Sequence, residues 1–247
     1  MKLTENTLVR RHNMKFLIAP SKTMEPTLNC EKNTILFKKM RKTMLDFLRE
    51  MTKDELSEFY GISQKLADFN HERLHDFKEN NHALYAYVGE QFKALEATSL
   101  DDESTEYLNQ HLVILSAMYG AVRPFDCIGL YRLPMGLKKD GKKLDRHWRD
   151  TLEAHFKKDT LINLASKEYS DALKGLPMIR VDFLIPDKSG GMRKAHAMEA
   201  KKMRGLFVRY AAQKKLKDEE GLKAFNLEGY AYNDVHSKDK VLAFTRE

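Results

Sequence analysis

Cysteine is scarce in this chain, with two residues among 247, and tryptophan occurs once. Cys30 and Cys127 make no disulfide framework, and neither sits in a Cys-x-x-Cys motif. Both are expected to be reduced and inert. No apolar run approaches the ~20 residues that span a bilayer. The opening segment Met1 to Asn13 also lacks the apolar stretch and small-residue cleavage site of a secretory signal. A soluble protein with a cytoplasmic address is therefore expected. Repeats and low-complexity tracts are missing too, and the nearest thing to a linker, Asp187-Lys188-Ser189-Gly190-Gly191, separates a strand from a helix.

What is present suits one folded unit. The chain is 42% hydrophobic and 32% charged, enough for a sizeable core inside a polar shell. Residues 1–13 read as a leader or an appended extension. Met14-Lys15-Phe16-Leu17-Ile18-Ala19 reads as a fresh start, so residues 14–247 are taken as a single domain. The net charge is +7, a modest excess that favours a polyanionic partner where the charge clusters.

Strand-like runs recur at Phe16–Ala19, Tyr85–Val88, Leu112–Leu115, Thr160–Leu164, Met178–Ile185 and Val241–Thr245. Helical patterns lie between them at Lys38–Glu50, Lys53–Tyr60, Ser63–His75, Thr105–Gln110, Arg146–Phe156, Lys167–Leu173 and Met198–Lys215. This spacing predicts an α+β fold, a single domain with a mixed central sheet, flanking helices and a helix-hairpin-helix element.

That last element is read from Thr52 to His75. Thr52-Lys53-Asp54-Glu55 is a capping box that opens a short helix. Gly61 permits the positive φ of a tight hairpin, Ser63 can cap a second helix, and Ala67 lets the two approach. In a helix-hairpin-helix the hairpin amides and second-helix N-terminus meet a nucleic-acid phosphate, and Lys65 would add charge. The bland alternative is a structural hairpin that touches nothing. The same helix carries His71-Glu72-Arg73-Leu74-His75, with zinc-ligand spacing. Glu90 and Glu96 are weak candidates for a third ligand, so no metal is expected.

Four further segments place polar residues beside apolar or glycine-flanked runs. Pro20-Ser21-Lys22-Thr23 follows the first strand, where a strand's carboxyl end opens onto a crevice. Tyr131-Arg132-Leu133-Pro134-Met135-Gly136 follows Arg123-Pro124, and Asn163-Leu164-Ala165-Ser166 precedes Glu168-Tyr169. Lys201-Lys202-Met203-Arg204-Gly205 with Arg209-Tyr210 lies on a helix whose stripe is Met203, Leu206, Phe207 and Tyr210. At 100° per residue Lys202 and Arg209 flank one edge of that stripe, while Lys201 and Arg204 face elsewhere. Taken singly, each is as well read as a strand-end turn or a solvated basic face.

Together these words, with Met24, Phe225-Asn226 and Glu228-Gly229-Tyr230, resemble the YaaA family of peroxide-stress-response proteins over Met14 to Thr245. The resemblance implies a bacterial, cytoplasmic protein that limits peroxide damage. It also implies a positively charged cleft, a helix-hairpin-helix, an association with DNA, and no established enzyme activity or cofactor. One departure matters: Pro134 stands where the family usually has an acidic residue, so any acid–base role there is lost.

The favoured expectation is largely sequence-independent DNA binding. Ser21, Lys22, Thr23, Gly61, Ser63, Lys65, Tyr131, Arg132, Asn163, Ser166, Lys201, Lys202, Arg204 and Arg209 would supply the contacts. The rival is an enzyme acting on a small anionic or nucleotide-like substrate in an enclosed pocket built from the same residues. An open groove would favour the first and a ligand-sized pocket the second.

Overall fold

The structure is a computed structural model in which residues 13–27, 30–31 and 34–246 are described. Of the segment read as a leader, residues 1–12 lie outside the described residues. Asn13 already belongs to the folded body, since its carbonyl accepts from the Thr160 amide at 3.2 Å.

The first half runs β1 (Met14–Ile18), β2 (Thr23–Met24), α1 (Lys38–Arg49), α2 (Lys53–Tyr60), α3 (Gln64–His75) and β3 (Asn81–His82). It continues through α4 (Ala83–Ala86), β4 (Tyr87–Val88), α5 (Glu90–Leu95), α6 (Asp102–His111), β5 (Leu112–Ser116), β6 (Gly120–Val122) and β7 (Cys127–Ile128). The hairpin β8 (Lys138–Lys139) and β9 (Lys142–Lys143) leads into α7 (Leu144–Phe156), β10 (Thr160–Asn163), α8 (Lys167–Ser170), β11 (Met178–Pro186) and β12 (Met192–Lys194). The chain closes with α9 (Ala197–Lys214), α10 (Glu219–Lys223), β13 (Asn226–Leu227), β14 (Tyr230–Tyr232) and β15 (Val241–Thr245).

A nine-stranded mixed sheet organises the fold, in the order β13-β14-β15-β11-β10-β1-β5-β6, with β12 added against β11. The inner strands β15, β11, β10, β1 and β5 are parallel neighbours, whereas β6, β12, β13 and β14 pair antiparallel. Every residue of β5 is buried, as are four of the five in β1. Strands covered on both faces need continuous apolar runs rather than alternation. Because β1 sits between β5 and β10, the chain leaves the centre first to one side and then to the other. That reversal opens a crevice beyond the carboxyl ends of β1 and β10, the usual ligand position in such sheets.

Tyr85–Val88 is not the strand its sequence suggests. The Ala83 and Leu84 amides donate to the Asp126 and Pro124 carbonyls, which start the α4 turn and leave only Tyr87–Val88 extended. The thiols are a second correction. Cys30 and Cys127 are joined in a disulfide across 97 residues, with Cα atoms 5.5 Å apart. Local pairing brings them together. β3 runs antiparallel to β7 with His82 opposite Cys127. Thr27 then fastens the segment after β2 to β3, donating its amide to Asn81 Oδ1 at 2.9 Å and accepting from the His82 amide at 3.0 Å. Among the described residues no helix is long and apolar enough to cross a membrane.

Candidate functional site

The crevice beyond β1 and β10 holds a cavity of about 450 Å³, lined from four segments. Ala19–Thr23 comes from the end of β1 and Ser166–Tyr169 from beyond β10. Gly89–Phe92 enters α5, and Lys201 with Arg204 comes from the first half of α9.

Close packing sets these walls. Gly89 has φ of 145°, and a Cβ there would lie 2.9 Å from Ser21 Oγ. Ser21 in turn shapes the loop by accepting from the Thr23 amide at 3.1 Å. Gln91 is buried and donates from Nε2 to the Ala19 carbonyl at 3.3 Å, tying α5 to the end of β1. Gly205 lets α9 cross α5 closely enough to bring Lys201 and Arg204 to the mouth. Asn163 lies beneath the lining, where its Oδ1 accepts from the Ala165 amide at 2.9 Å and turns the chain toward Ser166.

The electrostatics favour an anion. Arg204 makes no hydrogen bond or ion pair with any described residue, and its Nε is buried without a partner. Burial lowers its pKa, opposed by Asp182. That carboxylate is already engaged by Arg180 and Lys194. A half-buried guanidinium with a buried, unpartnered Nε is unfavourable, and a bound anion would relieve it. Lys22 and Lys201 are exposed on the same rim. Burial raises the Tyr169 pKa, so its hydroxyl stays protonated at neutral pH and can donate. Behind it Arg132, also with a buried, unpartnered Nε, lies within electrostatic reach of Tyr169 and Tyr60. Glu90 and Glu168 complete the lining, and Glu168 accepts from the Gly136 amide at 3.0 Å. Thus the carboxylate beside the turn containing Pro134 comes from a different segment.

Ser21, Lys22, Thr23, Ser166, Lys201 and Arg204 therefore share one cavity, Arg132 and Asn163 adjoin its lining without joining it, and the other expected residues lie elsewhere. Lys202 pairs with Glu228 at 2.8 Å. Arg209 donates to the Leu95 and Glu96 carbonyls, both at 2.9 Å, and so closes the end of α5. Tyr131 is in the core, its hydroxyl 2.7 Å from Tyr87 Oη and 2.5 Å from Ser116 Oγ. Gly89 and Gln91 were missed by sequence reasoning. Their only signal was a glycine directly after an apolar run.

Gly61, Ser63 and Lys65 form a separate helical hairpin. The Thr52 capping box is present, and Gly61 is left-handed with φ of 60°. The Gly61 amide donates to Glu58 and the Ile62 amide to Ser57, so neither is free for a phosphate. In the first turn of α3 the Leu66 and Ala67 amides both donate to the Ser63 carbonyl at 3.0 Å, and Ser63 supplies no side-chain cap. The His71 and His75 rings lie 4.3 Å apart. Burial first, and then His75, lowers the His71 pKa. Among the described residues no three His, Cys, Asp or Glu side chains converge as metal ligands.

In class, then, this is a mixed α/β protein with a cationic cavity at the switch point of its sheet. By family, the chain belongs to the peroxide stress protein YaaA group, whose family model matches residues 14–236. A UPF0246 protein of Francisella tularensis subsp. tularensis (strain WY96-3418) is 34% identical over 254 residues, covering 94% of this chain and 100% of the relative. One from Francisella tularensis subsp. novicida (strain U112) is 35% identical over 229 residues, covering 85% and 90%. A UPF0246 protein of Idiomarina loihiensis is 34% identical over 257 residues, covering 94% and 98%.

Proposed function

We propose that this peroxide-stress family member acts by binding a small, multiply charged anion, phosphorylated or nucleotide-like, in the cavity beyond β1 and β10. The observation that carries this reading is Arg204, half-buried and with an Nε that is buried without a hydrogen-bond partner among the described residues, in a cavity it lines with Lys22 and Lys201. A volume of about 450 Å³ suits a small ligand and is too confined for a duplex. The lining offers cations and hydroxyls beside the Glu90 and Glu168 carboxylates, and no hydrogen bond among the described residues pairs a lining hydroxyl with either carboxylate, so binding is the role proposed for it.

Calorimetric titration with inorganic phosphate, pyrophosphate and nucleoside mono-, di- and triphosphates tests it. A charge-assisted contact contributes about 1.5–3 kcal/mol, so Arg204→Gln should weaken the tightest of these by roughly 10- to 100-fold. Equal affinity in wild type and variant would refute the reading, as would the absence of binding by every compound.

A second reading is duplex DNA binding by the α2–α3 hairpin. It is supported by left-handed Gly61 and by exposed Lys65 in the first turn of α3. Labelled duplex titrated at two salt concentrations tests it, and Lys65→Glu should weaken binding and flatten the salt slope by about one unit. A wild type that ignores duplex ends this reading and leaves the first standing.

A further inference from the structure

A group of reactive side chains, two buried cysteines and a half-buried histidine, lies outside the lining of the strand-end cavity. Cys127 and His82 are register partners in the antiparallel β3–β7 pair. Their side chains therefore leave the same face, with Cβ atoms about 4.5–5.5 Å apart. His82 is held firmly. Its amide donates to Thr27 Oγ1 at 3.0 Å, and its ring meets Phe125 and Tyr85 edge-on at 5.7 and 6.3 Å. Yet among the described residues His82 Nδ1 is buried without a hydrogen-bond partner. An orphaned buried ring nitrogen calls for a reason, and a proton-accepting role toward a neighbouring thiol supplies one. The second sulfur, Cys30, is delivered by the segment after β2 and bonded to Cys127.

We propose that Cys127, His82 and Cys30 form a hydroperoxide-reducing site, whose oxidised state is the bridge seen here. In the reduced chain His82 takes the Cys127 thiol proton. The thiolate attacks one peroxide oxygen and the O–O bond breaks. The departing oxygen takes the imidazolium proton and leaves as water, or as an alcohol from an organic hydroperoxide. Cys127 is then a sulfenic acid. The Cys30 thiol attacks that sulfur, the S–S bond forms, the S–O bond breaks, and the hydroxyl leaves with the Cys30 proton as water. Two thiols lose two electrons and the peroxide gains two, so the sum is disulfide, alcohol or water, and one further water. A dithiol reductant resets the pair, entering at Cys30, which is 7% exposed while Cys127 is 0% exposed. The site stands independently of the anion cavity.

The test uses the full chain, reduced with dithiothreitol, desalted and mixed with one equivalent of hydrogen peroxide. Both thiols should disappear for each peroxide consumed, leaving an intramolecular Cys30–Cys127 peptide by mass spectrometry. Cys30→Ser should stop at a Cys127 sulfenic acid that dimedone traps. His82→Gln, checked for folding by circular dichroism, should slow thiol loss by at least about tenfold. Thiols that survive excess peroxide would overturn the proposal. So would a Cys30→Ser chain with no dimedone adduct, or a folded His82→Gln chain that oxidises at the wild-type rate.

Discussion

One atom added at Gly205 tests how tightly the cavity wall is built. A Cβ there would lie 2.1 Å from the Gln91 carbonyl oxygen and 2.9 Å from Ala94 Cβ. A weak carbon-to-oxygen contact normally sits near about 3.3 Å, so α5 and α9 would have to separate by roughly 1 Å. Neither helix is free to do so. The Gln91 side chain is bonded to the Ala19 carbonyl, and Arg209 holds the Leu95 and Glu96 carbonyls. Alanine is the better helix former by about 1 kcal/mol, whereas overpacking costs about 1–3 kcal/mol. Because the obstructing atom belongs to the backbone, the upper part of that range applies, and Gly205→Ala should lose about 1–2 kcal/mol net. Urea unfolding reads this as a lower midpoint with an unchanged slope. The same variant should bind phosphate compounds more weakly, because Gln91, Lys201 and Arg204 share the displaced wall. A Gly205→Ala protein as stable as wild type, with unchanged phosphate affinity, would refute this account of the crossing.

Two further outcomes follow from backbone and burial. Gly61→Ala meets nothing within 4 Å, so its cost is only the left-handed conformation, about 1 kcal/mol by urea unfolding, with phosphate binding unchanged. Burial pushes the Tyr131 phenol up to about 12 and raises Tyr87 and Tyr119 well above their usual range. An unfolded tyrosine loses its proton near about pH 10. The folded chain therefore holds more protons than the unfolded one between that point and the folded pKa, and stability falls as pH rises through this window. The loss is about 1.4 kcal/mol per pH unit for each such tyrosine, read as urea midpoints between about pH 9 and about pH 11. Tyrosinate absorbance showing all the phenols titrating at the ordinary value would contradict it.

Much of the scaffold was legible because its signals are local. β1, β5 and β10 announce themselves as unbroken apolar runs, and the structure buries them on both faces. Thr52 and Glu55 satisfy each other's backbone amides within one turn, and Gly61 ends α2 as its type requires. The disulfide was not legible. It depends on β3 and β7, two residues each, which are too short to show any period. It depends also on Thr27 side-chain and backbone bonds to Asn81 and His82 that no spacing rule anticipates. Turn α4 was hidden for the same reason, since its first donors are satisfied by Pro124 and Asp126 some forty residues away.

Charge shows most sharply what a sequence leaves open. Lys201, Lys202, Arg204 and Arg209 lie within three turns of one helix and are chemically alike. Helical geometry separates them into two directions, and the neighbours on each side then decide their roles. Lys202 and Arg209 meet groups that use up their charge: the Glu228 carboxylate for one, and the α5 carbonyls with Glu96 for the other. Lys201 and Arg204 meet the open end of the sheet, where Asp182, the carboxylate that raises the Arg204 pKa, already serves two other cations. A net charge of +7 reports how many cations exceed anions, not which of them lack a partner. The informative cations are those the fold partly buries and leaves without an ion pair among the described residues. Arg204 is one, and its candidacy rests on burial and missing partners, which appear only once α9 is packed against α5.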